Sequence, residues 1–278
     1  TKRTPDQKGG FHLDFSINQR ALAMVEEEIL PHQEQLQVRA HTLANGATVI
    51  DMGVEEKAGW RAGKLFTESC LGGLGRLDFT TMWIGEHLVP AATITVDRPA
   101  VAELSCHDAI YVMNYHGVRT TFSGPFRAIG GMDAYARATP YRDPCTARAV
   151  AHLQTTELPG EEMTTQLAGE IGIDPSGLYL LAARTGTLAG AVQVCARNVE
   201  QTFPTLLDRG FDTDCVVQAS GGAPIFGAVA DEYVAYGRVN DCLIYGQETN
   251  LWVDCTDEEI ERILPDLTFD KNQDIYGV

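Results

Sequence analysis

Arg197 and Glu200 stand three residues apart in the stretch AGAVQVCARNVEQTF, residues 189–203, which is otherwise mostly small or apolar. On an α-helix advancing about 100° per residue, Ala189, Val192, Ala196 and Phe203 fall on one stripe. Glu200 lies about 40° from Ala196, at the edge of that stripe, and Arg197 sits about 60° further round. A carboxylate turned toward core or cleft needs a partner or a task, and the task open to it is proton transfer. Arg and Glu at this spacing also form ordinary surface pairs worth a few tenths of a kcal/mol. The wheel leaves both readings open.

The elements that must position this pair are read from periodicity and punctuation. Residues 16–30 form an opening helix, with Ser16 as N-cap, an apolar stripe of Ile17, Ala21, Leu22, Val25 and Ile29, and Pro31 as its stop. ATVIDMG (47–53) is a short strand, and a helix follows from about Ala62 to Cys70, broken by Gly72, Gly73 and Gly75. HLVPAATITVDRPA is strand-like, and AIYVMNYHGVRTTFSGPFRAIGG is extended chain ending in a Ser-Gly-Pro turn. An apolar strand and an amphipathic helix after Pro159 precede LYLLAARTGTLAGAVQV, a buried strand that passes through Thr185 and Thr187 into the helix of the Arg–Glu pair. A loop, a short helix and two strands then lead to LWVDC, and TDEEIERILPDL closes as an acidic surface helix.

TVIDMGVEEKAGWRAGKLFTESC and LYLLAARTGTLAGAVQVCARNVE both run strand, polar loop, Ala-Gly and helix, an echo that fits a duplicated unit or a coincidence. The expectation is an α/β fold of two units with a cleft between them. A disordered tail at 1–10 would precede a first unit at about 11–100 and a second at 101–278, whose C-terminal part can pack back on the first.

With 278 residues and 44% hydrophobic side chains, the chain has ample core for one large or two medium domains. A formal charge of −17, from 21 basic and 38 acidic residues, argues against nucleic acid and anionic membrane surfaces as partners. It suits a cationic small molecule, and equally simple solubility. Cys70, Cys106, Cys145, Cys195, Cys215, Cys242 and Cys255 form no CxxC pair, and nothing resembles HExxH, so no metal is expected. Scattered thiols, a first segment TKRTPDQKGG without a signal-peptide core, and no apolar run of about 18 residues suggest a cytoplasmic protein.

FSINQRAL, TVIDMGV, AGKLFTESCLGGLG, SGPFRA, LAGAVQVCARNVE, RGFD, GGAPI and GRVNDCLIYG occur in that order, from about Phe15 to the end of the chain. Together they resemble the methenyltetrahydromethanopterin cyclohydrolase family. The resemblance implies a two-part α/β subunit, usually in a homo-oligomer (dimer or trimer), with a reduced pterin or folate carrier in the groove. It implies interconversion of the N5,N10-methenyl and N5-formyl carrier without metal or redox cofactor. It maps the family's Arg-x-x-Glu pair onto Arg197 and Glu200, with Glu200 as the water-activating base. Burial would raise the Glu200 carboxyl, and the adjacent Arg197 would oppose that, keep it ionised and orient it.

The remaining candidates each have two readings. Ser123, Gly124 and Pro125 line the pterin site or simply make a tight turn. Thr185 and Thr187 reach ligand or cap a helix. Asn240 and Asp241, placed near a strand start, contact ligand or fix a turn. His107 joins the substrate-binding candidates from a run that departs from the family: CHDAIY at 106–111 stands where Ser-Gln-x-Ala-Gly-Trp is usual. GAVAD at 227–231 likewise replaces a Pro-His-Pro-Asp run, and the family's C-terminal segment does not follow Val278. These departures open tetrahydrofolate as a rival carrier, and they leave room for an inactive pterin-binding homologue or a hydrolase of another cyclic amidine.

Overall fold

The computed structural model describes residues 15–267, so the tail expected at 1–10 lies outside the described residues. Within them, ten strands form two sheets. The strands are β1 (Arg39–Thr42), β2 (Thr48–Asp51), β3 (Gly75–Ile84), β4 (His87–Asp97) and β5 (Tyr111–Tyr115). They continue with β6 (Val118–Ser123), β7 (Ala149–Gln154), β8 (Leu178–Ala183), β9 (Val216–Pro224) and β10 (Glu248–Val253). The α-helices are α1 (Ile17–Met24), α2 (Gln33–Leu36), α3 (Trp60–Cys70), α4 (Ala134–Ala138), α5 (Glu161–Ile171), α6 (Leu188–Cys195), α7 (Thr202–Asp208), α8 (Glu232–Gly246) and α9 (Asp257–Leu267).

The larger sheet has the order β1-β2-β8-β7-β6-β5. Its centre, β2-β8-β7, is parallel, and its outer pairs are antiparallel. Parallel strands are covered on both faces, which is why β8 reads as the near-continuous apolar run LYLLAA. On one face α5 packs over Leu167 and Ala168, and on the other α1, α3 and α6 supply Ala21, Phe66 and Ala189. The smaller sheet, β10-β9-β4-β3, is antiparallel throughout. It packs Leu77, Ala92 and Ala223 against Ala191, Val192 and Cys195 of α6. Helix α6 thus belongs to the cores under both sheets, and every one of its residues but Gln193 is accordingly small or apolar.

Both sheets draw strands from either side of residue 100: β2 pairs with β8, and β4 with β9. Strands β8 and β9 thus pack beside β2 and β4 of the expected first unit. The echoed segments are neighbours, with β2 parallel to β8 and α3 against α6. The helices close at Gly63, where a Cβ would fall 2.7 Å from Val192 Cβ and 3.0 Å from the Ala189 carbonyl. Gly190 serves the turn from β8 into α6, where a Cβ would lie 1.8 Å from the Arg184 carbonyl.

Three local readings are corrected. Ser16 does cap α1, accepting from the Gln19 N–H at 3.0 Å, but Pro31 does not stop the helix. The chain continues through π-helical Val25–Ile29 and a 3₁₀ turn, Leu30–His32, into α2, and ends at left-handed Gln37 (φ +55°). Pro31 stands at the start of the 3₁₀ turn, where its missing N–H costs nothing. The expected short helix after residue 225 is the fifteen-residue α8, so Asn240 and Asp241 lie inside a helix and not near a strand start. Finally, Ala100, at the end of the strand-like HLVPAATITVDRPA, starts a π-helix, Ala100–His107, whose residues are all buried.

Candidate active site

The Arg–Glu pair sits at a break between helices. After α6 the chain makes a 3₁₀ turn over Ala196–Asn198, where Arg197 has ψ +16°, and α7 begins at Thr202. The single wheel drawn through 189–203 therefore fails beyond Cys195. Asn198 pins the break: its Nδ2 donates to the Cys195 carbonyl at 3.0 Å, and its own carbonyl accepts from Thr249 Oγ1 at 2.7 Å. Gly221 leaves room for it, since a Cβ there would meet Asn198 Oδ1 at 2.2 Å.

This break opens on a cavity of about 430 Å³, a volume within the usual range for small-molecule sites. Arg197, Glu200, Ser123 and Asn240 all line it. His107, Gly124, Pro125, Thr185, Thr187 and Asp241 do not. Instead, Asp108, His152, Gln154 and Gln193 complete its polar wall, and Phe66 reaches in from α3. The walls thus come from α3, α6, β6, β7, α8 and the end of the π-helix, and the cleft does not simply separate two repeats.

Arg197 is committed on two sides. Its Nη1 donates to the His107 carbonyl and its Nη2 to Ser123 Oγ at 3.2 Å. Glu200 Oε2 stands 4.0 Å from Nη1, at the limit of an ion pair, and receives Gln201 Nε2 at 3.3 Å. Burial, and then the adjacent Asp108 carboxyl, push Glu200 up to about 8, with Arg197 opposing them. The expectation that Arg197 keeps Glu200 ionised is thereby corrected. Desolvation outweighs the cation.

His107 enters the site through its backbone only. Its ring shares a 2.9 Å hydrogen bond between Nδ1 and Glu103 Oε2, both side chains being fully buried. Burial holds His107 well below the usual histidine value and Glu103 well above the carboxylate range, so this is a neutral contact despite its ion-pair distance. Gly124, at φ +119°, supplies space: a Cβ there would lie 2.7 Å from His152 Nδ1. The Pro125 carbonyl accepts from Asn18 Nδ2 at 2.8 Å. Thr187 caps α6, accepting from the Gly190 N–H at 3.1 Å. Thr185 Oγ1 takes a hydrogen bond from Gln154 Nε2 and so supports the wall from behind. Asp241 is exposed.

His152 was missed by sequence reasoning. It accepts or donates at Nε2 with Ser69 Oγ at 2.8 Å and stands edge-on to Phe66. Burial, with Arg197 adding to it, holds this ring down to about 3 and hence neutral. No partner meets His152 Nδ1, Gln193 Oε1 or Asp108 Oδ2. Three buried, unsatisfied polar atoms on cavity-lining side chains are hydrogen-bonding capacity left for a ligand. Among the described residues, no three His, Cys, Asp or Glu side chains cluster as metal ligands.

Comparison with known proteins places these residues in a lineage. The family model described as Cyclohydrolase (MCH) matches residues 16–278. Methenyltetrahydromethanopterin cyclohydrolase of Methanocella arvoryzae is 36% identical over 242 residues, covering 86% of this chain and 76% of that protein. The enzyme of that name from Methanocaldococcus jannaschii is 32% identical over 268 residues, 95% of this chain and 82% of the other. That of Halobacterium salinarum is 34% identical over 238 residues, with 86% and 76% covered. The chain belongs to the cyclohydrolase (MCH) family of enzymes.

Proposed function

We propose that the protein hydrolyses the cyclic amidinium of an N5,N10-methenyl pterin carrier to the N5-formyl form, and runs the reverse dehydration, with tetrahydromethanopterin as the carrier. The observation that carries this reading is the buried Glu200 carboxyl beside Arg197 in a cavity of ligand size. The amidinium carbon lies between two nitrogens and is already electrophilic. It needs a placed water and a base. Glu200 takes one water proton as the C–O bond forms and the C=N electron pair returns to nitrogen. The adduct then loses its other C–N bond, the hydroxyl proton passing to the departing nitrogen as the formyl C=O forms. Arg197, held by His107 and Ser123, stabilises negative charge on the adduct oxygen and orients the acid. Each step balances without a metal or redox cofactor.

The relatives quoted above carry the tetrahydromethanopterin name, which supports that carrier. The departing run CHDAIY favours keeping tetrahydrofolate as a second reading, because Asp108 and Ala109 of that run line the cavity. The other departing run bears less on it: Val229 N–H donates to the Gly186 carbonyl, against the β8–α6 turn. Purified protein mixed with methenyl-tetrahydromethanopterin or methenyl-tetrahydrofolate is expected to bleach the methenyl chromophore of the first faster than its spontaneous hydrolysis. Dialysis against a chelator is expected to leave that rate intact. Bleaching of the folate alone would transfer the assignment, binding without bleaching would indicate an inactive homologue, and neither would point to another cyclic amidine.

The cytoplasmic placement and homo-oligomeric state belong to the same proposal. All seven cysteines are free thiols, and no described helix is long and apolar enough to cross a membrane. Trp83, Leu88 and Trp252 of the smaller sheet are more than half exposed, the kind of surface a second copy covers. Light scattering on the purified protein is expected to give a dimer or trimer mass, and a monomer would remove this part.

A further inference from the structure

Two carboxyl groups meet in the cavity where one base was expected. Asp108 follows the π-helix as its first non-helical residue, and its side chain is in hydrogen-bond contact with that of Glu200. Both side chains line the cavity, with the residues only 8% and 5% exposed. The Asp108 backbone is fixed, because its carbonyl accepts from Arg127 Nη1 at 2.6 Å.

The charges facing the pair can be counted by element. Arg127, below Asp108, is matched by a two-pronged contact to Asp133 at 2.7 and 2.9 Å. From the π-helix, Glu103 and His107 are driven to their neutral forms by burial, as is His152 from β7. Tyr135 of α4, whose hydroxyl faces Asp208, is raised further from ionisation. Arg197 faces both carboxyls, and Arg127, although paired with Asp133, still favours the charged form of Asp108. Burial outweighs both cations and raises both carboxyls, so two ionised carboxylates in contact and away from water are disfavoured.

We propose that Asp108 and Glu200 hold a single proton between them, and that Asp108 is thereby the positioning residue that sets which direction of the reaction Glu200 serves. This rests on Glu200 being the water base. With the shared proton on Asp108, Glu200 is a carboxylate and accepts a proton from the attacking water. With the proton on Glu200, the same group is the acid that protonates departing water when the formyl carrier closes to the methenyl form. In hydrolysis the pair starts with one proton and ends with two, and releases one to solvent, matching the net proton that the hydration of the cation yields.

Asp108→Asn removes the negative charge and keeps a side chain that can donate to Glu200. Because hydrolysis starts from the singly protonated pair, the rising limb of its pH–rate profile reports the first dissociation and is expected to stay in place, whereas the second, high-pH dissociation of Glu200 is lost. A direct titration gives an activity-independent reading. Carboxyl-¹³C glutamate is incorporated, and the Glu200 resonance is identified by its loss in Glu200→Gln. It is expected to titrate well above the ordinary carboxylate range in the parent chain, and at least about one unit lower in Asp108→Asn. An unmoved midpoint of the Glu200 resonance would overturn the shared proton. If Asp108→Asn does not fold, a parent Glu200 resonance titrating as an ordinary carboxylate overturns it alone. A Glu200→Gln enzyme that still turns over would instead remove the base assignment and leave the titration of the pair standing as its own test.

Discussion

Replacing Glu200 by Gln is expected to lower methenyl-carrier hydrolysis by about 10²–10⁴-fold, the usual contribution of a positioned general base. The amide keeps the size of the carboxyl and a hydrogen-bonding oxygen but cannot take a proton from water. The same change is expected to leave the fold at least as stable as the parent. The reason is linkage: burial and Asp108 raise Glu200 from 4.5 to about 8 in the folded chain. A group with a raised folded value costs no stability below its unfolded value, loses stability progressively through the window between the two, and costs the full amount above the folded value. The difference in Tm, variant minus parent, should therefore grow from about pH 4.5 to about pH 8 and then level off. Loss of turnover with a gain in stability is the signature of a carboxyl kept for chemistry against the interest of the fold. A fully active Gln variant would remove Glu200 from the mechanism. An inactive variant that is less stable at every pH would instead mean that the residue is structural.

Much of the frame around this residue is written locally, and the site less so. The central strand LYLLAA, the cap at Ser16 and the buried stripe from Ile17 to Ile29 follow from period and punctuation, which sequence displays directly. The Arg197–Glu200 pair is legible for a different reason: charged residues in a segment buried by both sheets are conspicuous. Its geometry is not. The break at Arg197 carries no Gly, and its one signal is Pro204, which suits the first turn of a new helix and not the middle of an old one. Asp108 and His152 stay hidden because their meaning depends on partners distant in the chain. Asp108 lies 92 residues before Glu200, and His152 is a polar residue in the apolar strand AVAHLQ whose partner Ser69 comes from α3. The π-helix AVAELSCH shows no apolar stripe in sequence, because the polar Glu103, Ser105 and His107 are buried along with its apolar residues. Their hydrogen bonds to one another and to Thr139, with the sequence alone in view, cannot be anticipated.

Arg127→Met is expected to cost about 3–5 kcal/mol of stability, the loss typical of removing one partner of a buried ion pair. Arg127 is wholly buried, yet it stands in the SGPFRA turn as one more basic residue. Its guanidinium serves three carbonyls at the end of the π-helix, Leu104 at 2.9 Å, Cys106 at 3.3 Å and Asp108 at 2.6 Å. Carbonyls at the end of a helix have no partner within it, and a cation there answers both their hydrogen bonding and their negative end. On its other edge the same group grips Asp133, which also caps α4 by accepting from the N–H groups of Tyr135 and Ala136 at 3.0 and 2.9 Å. Methionine fills the volume but strands the Asp133 charge and the Leu104 and Asp108 carbonyls, while the Cys106 carbonyl keeps the Gly124 N–H at 2.7 Å. The stranded charge can be separated from the rest, because Asn at 133 keeps the capping oxygen and loses the charge. Arg127→Met with Asp133→Asn should then recover a measurable part of the lost denaturation midpoint, although Asp133→Asn in the parent chain destabilises. No recovery would place the cost in the carbonyls alone. A loss below about 1 kcal/mol for Arg127→Met would mean that the end of the π-helix, and with it Asp108, is held by something other than this arginine.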